Sequence, residues 1–485
     1  MSVFEASVRI LYAGVHYAAS MDAAAELIEL LGAERVHTHP IDRQIFAKDA
    51  GVNVGDPAII VLPETTEEVA AIMRIAVQAG VPVVARGAGT GLAGGAVPAP
   101  GSVVAVLTRM NEIAEVDEIG RTAWVGPGVI NLDLSNAVTE FGLHFAPDPS
   151  SEQSSTVGGN TATNAGGPHC LAEGSTIAHV LGVEVVTADG DVVTLGGAAP
   201  DLPGYDLRGL IVGSEGTLGI VTRVLVRLTE NPPDVATMLI AFDDINDAAR
   251  TVSGIISSGL VPAALEIMDR SMVQAIENFV NADLPVGAAA VLLAEVAGHP
   301  DGVAAEAEII RGVAEQNRAT EIRTATDDSE RALLWKGRKS AFGAVAQAAP
   351  DYYLNDAVVP RTRFVEVIDE IYRIADRYGL RLMNVFHAGD GNLHPLVSYD
   401  AAESGMTEKV LAASREMVGV AVAAGGTLSG EHGVGLEKRE MMSQVFSADD
   451  LDAQARIREA FDPDGRLNPD KVLPEGARCF DRATR

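Results

Sequence analysis

The sequence predicts an α+β fold with two principal subdomains. Its 485 residues exceed what one hydrophobic core normally organises, and 47% hydrophobic with 21% charged residues is typical of a globular protein. The N-terminal half alternates short apolar strands with glycine-rich loops. After a predicted linker at residues 231–233, a strand over residues 236–242 and a helical pattern from Asp247 indicate an antiparallel sheet with helices on one face.

The first predicted strand spans residues 57–63 and leads into an amphipathic helix. Residues 65–68, Thr-Thr-Glu-Glu, have the spacing of a capping box, and apolar residues then recur at helical intervals. Residues 81–85 and 103–107 are the next two apolar strands. This order places the intervening glycine-rich loop directly between two strands.

That loop, residues 86–98, contains five glycines and exposes a run of backbone N–H groups, which predicts phosphate binding. The fingerprint of NAD-binding folds requires a helix after the glycines, whereas this chain continues into a strand, so we exclude a Rossmann site. Two more glycine-rich stretches, residues 145–167 and 213–221, lie in the same half. The three stretches together predict one large, elongated cofactor.

Two short motifs in the second half predict a metal site. His387 and His394 flank a turn of Gly, Asp and Asn residues, which folds the chain back and brings the two imidazoles together. Glycines surround Glu431 and His432, whose side chains diverge, so that Glu431 can face a metal while His432 faces a substrate. Two imidazoles, one carboxylate and an open position form a catalytic ligand set for zinc, manganese or iron. His432 then remains for proton transfer.

Two alternatives compete with this interpretation. A histidine beside a glycine-rich turn is usually an ordinary polar residue. A closed structural metal site normally takes four protein ligands, but Cys170 and Cys479 have no metal-like spacing. Three of the ten histidines fall within residues 387–432, each in a short motif that contains Gly with Asp or Glu, which favours an active site.

Composition excludes several classes of partner. A formal net charge of −31 disfavours nucleic acid and anionic membrane surfaces. No apolar run approaches the roughly 20 residues of a membrane span, and charged residues within residues 1–20 argue against a secretory signal. Two cysteines fit a reducing cytoplasm and exclude an iron–sulfur cluster in this chain. We therefore expect a cytoplasmic protein with no nucleic acid partner and no direct membrane insertion.

Several motifs resemble those of a known family. The glycine-rich stretches resemble the FAD-binding domain of the vanillyl-alcohol oxidase or p-cresol methylhydroxylase (PCMH) superfamily. The histidine motifs resemble its FAD-linked D-2-hydroxyacid dehydrogenase branch, and within that branch the group of glycolate oxidase flavin subunits (D subunits). The resemblance covers about residues 40–475. The stretches that carry it, besides the two histidine motifs, are residues 86–98, 147–167, 213–219, 334–342, 351–353 and 461–469.

The resemblance implies that FAD is the cofactor. Some superfamily members attach the flavin to a histidine of the first loop, but residues 86–98 contain none, so we expect non-covalent FAD. The residues implied to hold it lie in the glycine-rich stretches and near the C-terminal end. They are Arg86, Gly87, Ala88, Gly89, Thr90, Gly91, Leu92, Gly94, Gly95, Pro147, Asp148, Gly158, Gly159, Asn160, Thr163, Asn164, Gly219, Ile220, Val221 and Asn468.

The implied α+β architecture has four parts. Residues 1–53 are a helical lead-in, and residues 54–229 are a PCMH-type FAD-binding domain. Residues 230–440 are an α+β antiparallel-sheet domain for substrate and metal, and residues 441–485 are a helical segment that returns to cover the flavin. The implied partners are a second flavin-type subunit and an iron–sulfur subunit, or another electron acceptor. Membrane association is expected only through such a partner.

The implied reaction oxidises a 2-hydroxy acid to the 2-oxo acid, with hydride transfer to flavin N5. A metal held by His387, His394 and Glu431 lowers the pKa of the substrate hydroxyl, and His432 takes its proton. Arg338 is the predicted clamp for the substrate carboxylate, because a guanidinium binds a carboxylate bidentately. The alternative for Arg338 is a surface charge on a helix.

Three positions bear on the identity of the acid. Members of this branch that oxidise D-2-hydroxyglutarate resemble one another in a Thr, a Lys and an Asn, where this chain has Phe342, Leu354 and Leu396. The groups that would hold a second, distal carboxylate of the substrate are therefore missing. Burying that carboxylate without a partner is unfavourable, so we expect glycolate or D-lactate as the substrate. The alternatives are D-2-hydroxyglutarate or another longer D-2-hydroxy acid, and a non-catalytic electron-relay subunit that has no need of the histidine motifs.

Overall fold

The structure, a computed structural model, describes residues 22–199 and 203–475. These residues form two units. Unit 1 comprises the chain up to Gly166, Ser175–Glu230 and the segment from Glu431, whereas unit 2 comprises Gly167–Gly174 and Asn231–Gly430. The argument against a secretory signal, the first part of the lead-in and Cys479 concern residues outside the described ranges.

Helices occur in both units. In chain order they are α1 (residues 22–31), α2 (Pro40–Ile45), α3 (Thr66–Ala79), α4 (Asn131–Val138), α5 (Val157–Thr163), α6 (Cys170–Glu173), α7 (Leu207–Ile211), α8 (Ile245–Ser257), α9 (Arg270–Val280), α10 (Pro300–Gln316), α11 (Asp328–Lys339), α12 (Ala341–Ala348), α13 (Phe364–Tyr378), α14 (Met406–Ala423) and α15 (Ala448–Phe461). Short 3-10 helices span Ala33–Arg35, Leu107–Arg109, Thr139–Phe141, Thr176–His179, Arg361–Arg363 and Arg439–Gln444. Within the described ranges, no helix combines the length and hydropathy needed to cross a membrane.

Strands of unit 1 build two main sheets and one short pair. They are β1 (Val36–His37), β2 (Ile59–Val61), β3 (Val83–Arg86), β4 (Val103–Val106), β5 (Ile113–Asp117), β6 (Thr122–Val125), β7 (Leu143–His144), β8 (Val180–Val186), β9 (Val192–Gly196), β10 (Ile220–Arg227) and β11 (Thr229–Glu230). The first sheet has the order β1-β2-β4-β3, and β4 runs parallel to β2 and β3. The second, β5-β6-β10-β8-β9, is antiparallel, and β7 pairs with β11.

Helix α3 shows how local sequence sets the boundaries of unit 1 elements. Thr65 caps it by accepting the Glu68 N–H at 3.2 Å, and Gly80 ends it in the left-handed region with φ 70°. The predicted capping box is only half formed, because the Glu68 carboxylate accepts the Glu64 N–H and pairs with Arg35 instead. The buried face of α3 packs into the core of the first sheet.

The C-terminal segment of unit 1 returns to the first sheet. Leu467 forms a parallel bridge with Val83 of β3, and the Asn468 N–H donates to the Val83 carbonyl at 2.9 Å. This segment begins at Glu431 in the structure, whereas the sequence expectation began it at residue 441. This isolated bridge lies at the β3 edge of the sheet, and the Asn468 side chain also contacts the glycine-rich loop that follows β3.

Unit 2 is built on one antiparallel sheet. Its strands are β12 (Asp234–Phe242), β13 (Ala264–Asp269), β14 (Ala290–Gly298), β15 (Glu321–Thr324), β16 (Asp351–Leu354), β17 (Ala357–Val358), β18 (Arg381–His387) and β19 (Asn392–Tyr399). The order is β15-β12-β14-β13-β18-β19-β16, with β17 also paired to β19. This sheet confirms the predicted α+β class.

The register of the unit 2 sheet separates two faces. Phe386 on β18 contacts Phe364 of α13 edge to face, so the face that carries Phe386 lies against helices. Its neighbour His387 points to the opposite face, because side chains alternate along a strand. His387 pairs with Glu266 on one side and with Asn392 on the other, and these partners share its face. We call this surface the polar face of the sheet.

Candidate functional site

The predicted phosphate loop connects β3 directly to β4, with no helix between them. Gly89 has φ 75°, and a Cβ there would lie 2.0 Å from the Arg86 guanidinium. A Cβ at Gly87 would lie 2.3 Å from Thr156 Oγ1, in the second glycine-rich stretch. The loop therefore packs against its own arginine and against that stretch. The absence of a helix after this loop confirms that it is not a Rossmann turn.

Arg86 supplies a positive charge to the cradle, our name for the three glycine-rich stretches, residues 86–98, 145–167 and 213–221. The residue is only 8% exposed, and its guanidinium lies 5.7 Å above the Phe46 ring. Burial lowers the pKa of Arg86, although the nearby Asp49 carboxylate opposes the shift, and burial raises the pKa of Asp49. Among the described residues, Arg86 Nη1 has no hydrogen-bond partner. A buried guanidinium nitrogen of this kind fits an anionic group such as the pyrophosphate of FAD.

The second stretch contributes α5 and the residues around it. Asn160 is buried, and its Nδ2 has no hydrogen-bond partner in the part of the chain that the structure describes. Thr163 Oγ1 donates to the Gly159 carbonyl, and Asn164 Oδ1 accepts the Ile177 N–H at 2.8 Å. Asn160 thus offers a donor to a ligand, while the Thr163 and Asn164 side chains stabilise the turn that follows α5.

The third stretch leads into β10, where Ile220 and Val221 are the first two strand residues. A Cβ at Gly219 would lie 2.3 Å from Val185 Cγ1, so this position requires glycine for packing. In the second stretch, the Pro147 carbonyl accepts the side-chain amide of Asn131 at 3.0 Å. The three predicted stretches belong to unit 1, apart from Gly167 at the end of the second, which belongs to unit 2.

Asn468 joins the C-terminal segment to two of these stretches. Its Nδ2 donates to the carbonyls of Gly95 at 2.8 Å and of Glu215 at 2.6 Å. It is buried with φ 39°, and among the described residues its Oδ1 has no hydrogen-bond partner. Unpartnered buried polar atoms on Arg86, Asn160 and Asn468 indicate that the cradle fits a large polar cofactor such as FAD.

Glu215 anchors the first part of the C-terminal segment. Its buried carboxylate accepts the N–H groups of Val434 at 2.7 Å and Gly435 at 2.9 Å. Burial raises the pKa of Glu215, while these backbone bonds and the charges of Lys471 and Lys438 oppose the shift. Burial also lowers the pKa of Lys471 to about 8. Glu215 thus fixes the backbone immediately after Glu431 and His432, a role that sequence reasoning missed.

The histidine pair forms as predicted within unit 2. His387 ends β18, His394 lies on β19, and Gly391 in the turn between them has φ 85°. Their rings are 4.9 Å apart between centroids and nearly perpendicular, and a ring nitrogen of each lies within 4.8 Å of the other. Both histidines are 3% exposed. Two buried imidazoles on paired strands can share one divalent cation.

Glu266, on β13, is the first residue in contact with the predicted site of unit 2 that sequence reasoning missed. Its side chain is fully buried, lies 2.5 Å from Arg338 Nη2, and accepts from His387 Nδ1 at 2.8 Å. Arg338 itself is 2% exposed, so the alternative of a surface charge on a helix is wrong. Among the described residues, Arg338 Nε has no hydrogen-bond partner. The signal in the sequence was one carboxylate within the apolar run at residues 264–268.

Asp356 is the second residue that was missed. Its carboxylate lies 3.6 Å from His394 Nε2 and accepts from the Ser429 hydroxyl at 2.6 Å and the Gly430 N–H at 3.0 Å. Asp356 is fully buried, so it places a carboxylate beside His394. The paired imidazoles of His387 and His394 are donors that suit a divalent metal, and this chemistry fits the predicted cation.

Glu431 and His432 follow this anchored segment directly. They are the first two residues of the C-terminal segment of unit 1, and Glu431 is joined by one peptide bond to Gly430 of unit 2. Asp356 holds the backbone before the pair, and Glu215 holds the backbone after it. Two buried carboxylates therefore bracket the predicted ligand and the predicted base in sequence.

An apolar wall adjoins His394 on the polar face. Leu354 on β16 pairs in register with Leu396 on β19, two residues beyond His394, and both leucines are buried. Tyr352 lies two residues earlier on β16, and its ring is 6.5 Å from that of Phe342. Burial raises the pKa of the Tyr352 hydroxyl. Phe342, Leu354 and Leu396, the positions that departed from the hydroxyglutarate pattern, thus lie in one region of unit 2.

A second buried carboxylate, Glu295 on β14, fixes helix α11 to the polar face. It accepts both Nε and Nη2 of Arg331 at 3.0 Å and the Trp335 indole N–H at 2.6 Å, and it also bonds Thr237. Burial raises the pKa of Glu295, but hydrogen bonds from His169 and Arg331 outweigh it and hold the pKa well below its usual value. Arg331, Trp335 and Arg338 lie at helical spacing, so one side of α11 faces the sheet.

Comparisons with known proteins show the family to which the chain is similar. The family described as "FAD binding domain" matches residues 57–196, and "FAD linked oxidases, C-terminal domain" matches residues 231–472. The chain is 44% identical over 423 residues to the glycolate oxidase subunit GlcD of Escherichia coli (strain K12), covering 87% of this chain and 85% of GlcD. It is 34% identical over 418 residues to the D-lactate dehydrogenase of Archaeoglobus fulgidus, covering 86% and 91%.

A solved structure agrees at the level of the fold. The crystal structure of p-cresol methylhydroxylase with substrate bound matches with a TM-score of 0.80 at 19% identity, covering 94% of this chain and 97% of the other. The fold is therefore of the predicted PCMH type. The extent and identity of the sequence matches confirm the resemblance drawn from the motifs. The chain belongs to the FAD-linked oxidases, a family of flavin-dependent oxidoreductases, and carries both their FAD-binding domain and their C-terminal domain.

Proposed function

We propose that this protein oxidises glycolate or D-lactate to the corresponding 2-oxo acid. The observation that carries the proposal is the buried pair His387 and His394 beside the apolar wall on the polar face. The names of the similar proteins, glycolate oxidase subunit and D-lactate dehydrogenase, support the same two acids. When bound, FAD would supply the acceptor for the α-hydride, and a divalent metal would supply polarisation of the substrate hydroxyl.

The residues of the chain divide the remaining tasks. His387 and His394 are the imidazole ligands for the metal, and Glu431 is the proposed third ligand. His432 accepts the hydroxyl proton on a ring nitrogen, because an imidazole titrates near neutral pH. Arg338 binds the substrate carboxylate through the N–H groups that its Glu266 ion pair leaves available, and the unpartnered Nε supports this role.

The apolar wall supports a small substrate. Leu354 and Leu396 are 6% and 0% exposed, and neither offers a hydrogen bond to a second carboxylate. Burying such a group without a partner costs several kcal/mol. A hydrogen or methyl group, as in glycolate or lactate, needs no polar partner there, so the wall disfavours D-2-hydroxyglutarate.

Electrons must then leave the flavin for an acceptor. The two cysteines of the sequence are too few for an iron–sulfur cluster of the usual four-cysteine type. The similarity to GlcD, which is named as a subunit, supports a second flavin-type subunit and an iron–sulfur subunit as partners. We propose a cytoplasmic location, with membrane association only through such a partner.

The test is anaerobic reduction of the protein-bound flavin by a panel of acids. We expect glycolate or D-lactate to bleach the flavin absorbance rapidly, and L-lactate and D-2-hydroxyglutarate to do so slowly. His432→Ala should reduce the rate by about 10²- to 10⁴-fold, the usual contribution of a general base. Fast bleaching by D-2-hydroxyglutarate would show that the substrate is a longer 2-hydroxy acid. If no acid bleached a fully loaded flavin, the chain would instead be an electron-relay subunit.

A further inference from the structure

Glu266 is a buried carboxylate in an apolar strand. Leu265 and Ile267 flank it on β13, and all three residues are buried. A carboxylate is strongly disfavoured in such surroundings unless positive or hydrogen-bonding partners surround it. The partners of Glu266 should therefore explain its presence.

Those partners are two residues to which the proposed function gives separate tasks. Arg338 Nη2 lies 2.5 Å from one carboxylate oxygen, and His387 Nδ1 lies 2.8 Å and 3.0 Å from the two oxygens. The side chains of all three residues are at most 4% exposed. One carboxylate thus links the proposed substrate clamp to a proposed metal ligand.

We propose that Glu266 is a positioning residue that prepares His387 for metal binding and holds Arg338 in the site. The inference deepens the proposed function and rests on it. Glu266 does not itself bind the metal or the acid. Its role is to fix which nitrogen of His387 carries the proton and where the Arg338 guanidinium lies.

The chemistry of the hydrogen bond carries the first part of this role. An ionised carboxylate only accepts hydrogen bonds, so the His387 Nδ1 that contacts it must be the protonated nitrogen. The lone pair of the neutral ring then resides on Nε2, as metal ligation requires. Histidine ligands in metal sites commonly donate their other ring N–H to a carboxylate in this way.

The second part follows from charge. Arg338 is always protonated, and its buried guanidinium needs a counter-charge even when no substrate is present. Glu266 supplies that charge at Nη2, while Arg338 Nε has no hydrogen-bond partner among the described residues. Arg338 can then remain buried before the acid arrives and still present another N–H group to it.

Glu295 provides a matched control on the same sheet. It is also a buried carboxylate on the polar face, and it also pairs with an arginine of α11. Its described partners, including His169 and Trp335, do not include His387 or His394. Removing its charge should affect folding stability in the same manner as removing that of Glu266, without altering the histidine pair.

The experiment compares Glu266→Gln, Glu266→Asp and Glu295→Gln in the FAD-loaded protein without substrate. Chelator competition gives the dissociation constants for Zn²⁺ and Mn²⁺, and Co²⁺ substitution gives a visible spectrum that reports ligand geometry. We expect Glu266→Gln to weaken metal binding about 10- to 100-fold, the usual effect of losing such a partner, and to change the Co²⁺ spectrum. Glu295→Gln should stay within about twofold of the wild-type affinity, because it leaves His387 untouched.

The outcomes separate this inference from the proposed function. If the wild type binds metal and Glu266→Gln binds it equally well with an unchanged Co²⁺ spectrum, Glu266 is only structural and the inference is wrong. If the wild type binds no metal, both proposals fail. If metal binding weakens as expected but no hydroxy acid reduces the flavin, the inference stands and the proposed reaction fails.

Glu266→Asp tests the positioning role of Glu266 if Glu266→Gln does not fold. The aspartate keeps the charge opposite Arg338, but it is one methylene shorter and cannot bridge both partners. We expect its metal affinity to fall by about tenfold or more. Wild-type affinity in a folded Asp variant would overturn the inference. In folded variants, kcat and KM for glycolate add a further check, since displacement of Arg338 should raise KM as well as lower kcat.

Discussion

The cradle of unit 1 and the polar face of unit 2 offer different kinds of group to a ligand. The cradle depends on backbone conformation, as at Gly89, where positive φ and the nearby guanidinium leave no room for a side chain. The polar face depends on buried ionisable side chains, such as Glu266, His387 and Arg338, held on strands and a helix. The comparison predicts that substitutions in the cradle act mainly on cofactor binding, whereas those on the polar face act on chemistry or on folding.

The largest effect is expected from His387→Ala or His394→Ala. A catalytic metal supplies several kcal/mol of transition-state stabilisation, so losing a ligand should slow flavin reduction by about 10³-fold while FAD remains bound. Stopped-flow bleaching with glycolate measures the rate, and elemental analysis measures the metal. His299→Ala, an exposed histidine at the start of α10, is the control and should change neither quantity. Normal rates and full metal content in both ligand variants would contradict the assignment of His387 and His394 as metal ligands.

The second largest effect is expected from Glu295→Gln, because this carboxylate of the polar face stabilises the fold. Glu295→Gln should lower the free energy of unfolding by about 2 kcal/mol, a value reduced from that of a fully buried pair because Arg331 is partly exposed. Folding lowers the pKa of the Glu295 carboxyl from the ordinary 4.5. The stabilisation that this carboxylate provides is therefore present above pH 4.5 and is lost as the pH falls through the folded-state pKa. Denaturant unfolding from pH 7 to pH 3 should therefore show a weaker acid dependence in the variant. Equal acid dependence of the two proteins would contradict the assignment.

Two glycines of the cradle allow its effects on stability and on FAD binding to be separated. Gly89→Ala should lower stability by about 1–2 kcal/mol, since its φ is positive, and should weaken FAD binding as well. Gly91→Ala should leave stability unchanged, because a Cβ added at this position would have no atom of the described structure within 4 Å. We nevertheless expect weaker FAD binding, by roughly tenfold, because the cofactor is predicted to occupy that space.

Gly197→Ala is the control for these two variants. Its Cβ would also meet nothing within 4 Å among the described residues, but it lies outside the three glycine-rich stretches. Thermal unfolding and FAD dissociation constants distinguish the three substitutions. If Gly91→Ala bound FAD as tightly as Gly197→Ala, the cofactor would not run along this part of the loop.

The smallest effect is expected at the apolar wall. Leu354→Lys should improve relative use of D-2-hydroxyglutarate over D-lactate by a few-fold, about 1 kcal/mol, because an ammonium group can pair with the distal carboxylate. The ratio of kcat/KM values for the two acids is the measurement. Leu354→Met keeps the wall apolar and serves as the control. An unchanged ratio in the Lys variant would place the substrate tail away from Leu354.

The two regions also differ in how far sequence alone could predict them. The cradle was foreseeable because glycine spacing and the strand order around residues 86–98 are local properties of the chain. The histidine pair was foreseeable for the same reason, since one short turn joins His387 to His394. The fold class and the resemblance followed from these local patterns, and the comparisons confirm both.

The supporting carboxylates were not foreseeable in the same way. Glu266 is separated from His387 by 121 residues, Asp356 from Gly430 by 74, and Glu215 from Val434 by 219. Such pairs depend on strand register and on the return of the C-terminal segment, which no local pattern specifies. Helix α3 shows the same limit on a small scale, because Arg35 takes the Glu68 carboxylate that the capping box would have used.

The most direct test of the central claim is flavin reduction by glycolate and by D-lactate in the metal-replete protein, in the same protein after chelation, and after metal is restored. The account predicts fast anaerobic bleaching by at least one acid in the first state, a loss of about 10³-fold in the second and recovery in the third, with FAD bound throughout. Undiminished bleaching by the chelated, metal-free protein would contradict the account, because the histidine pair would then have no part in the reaction.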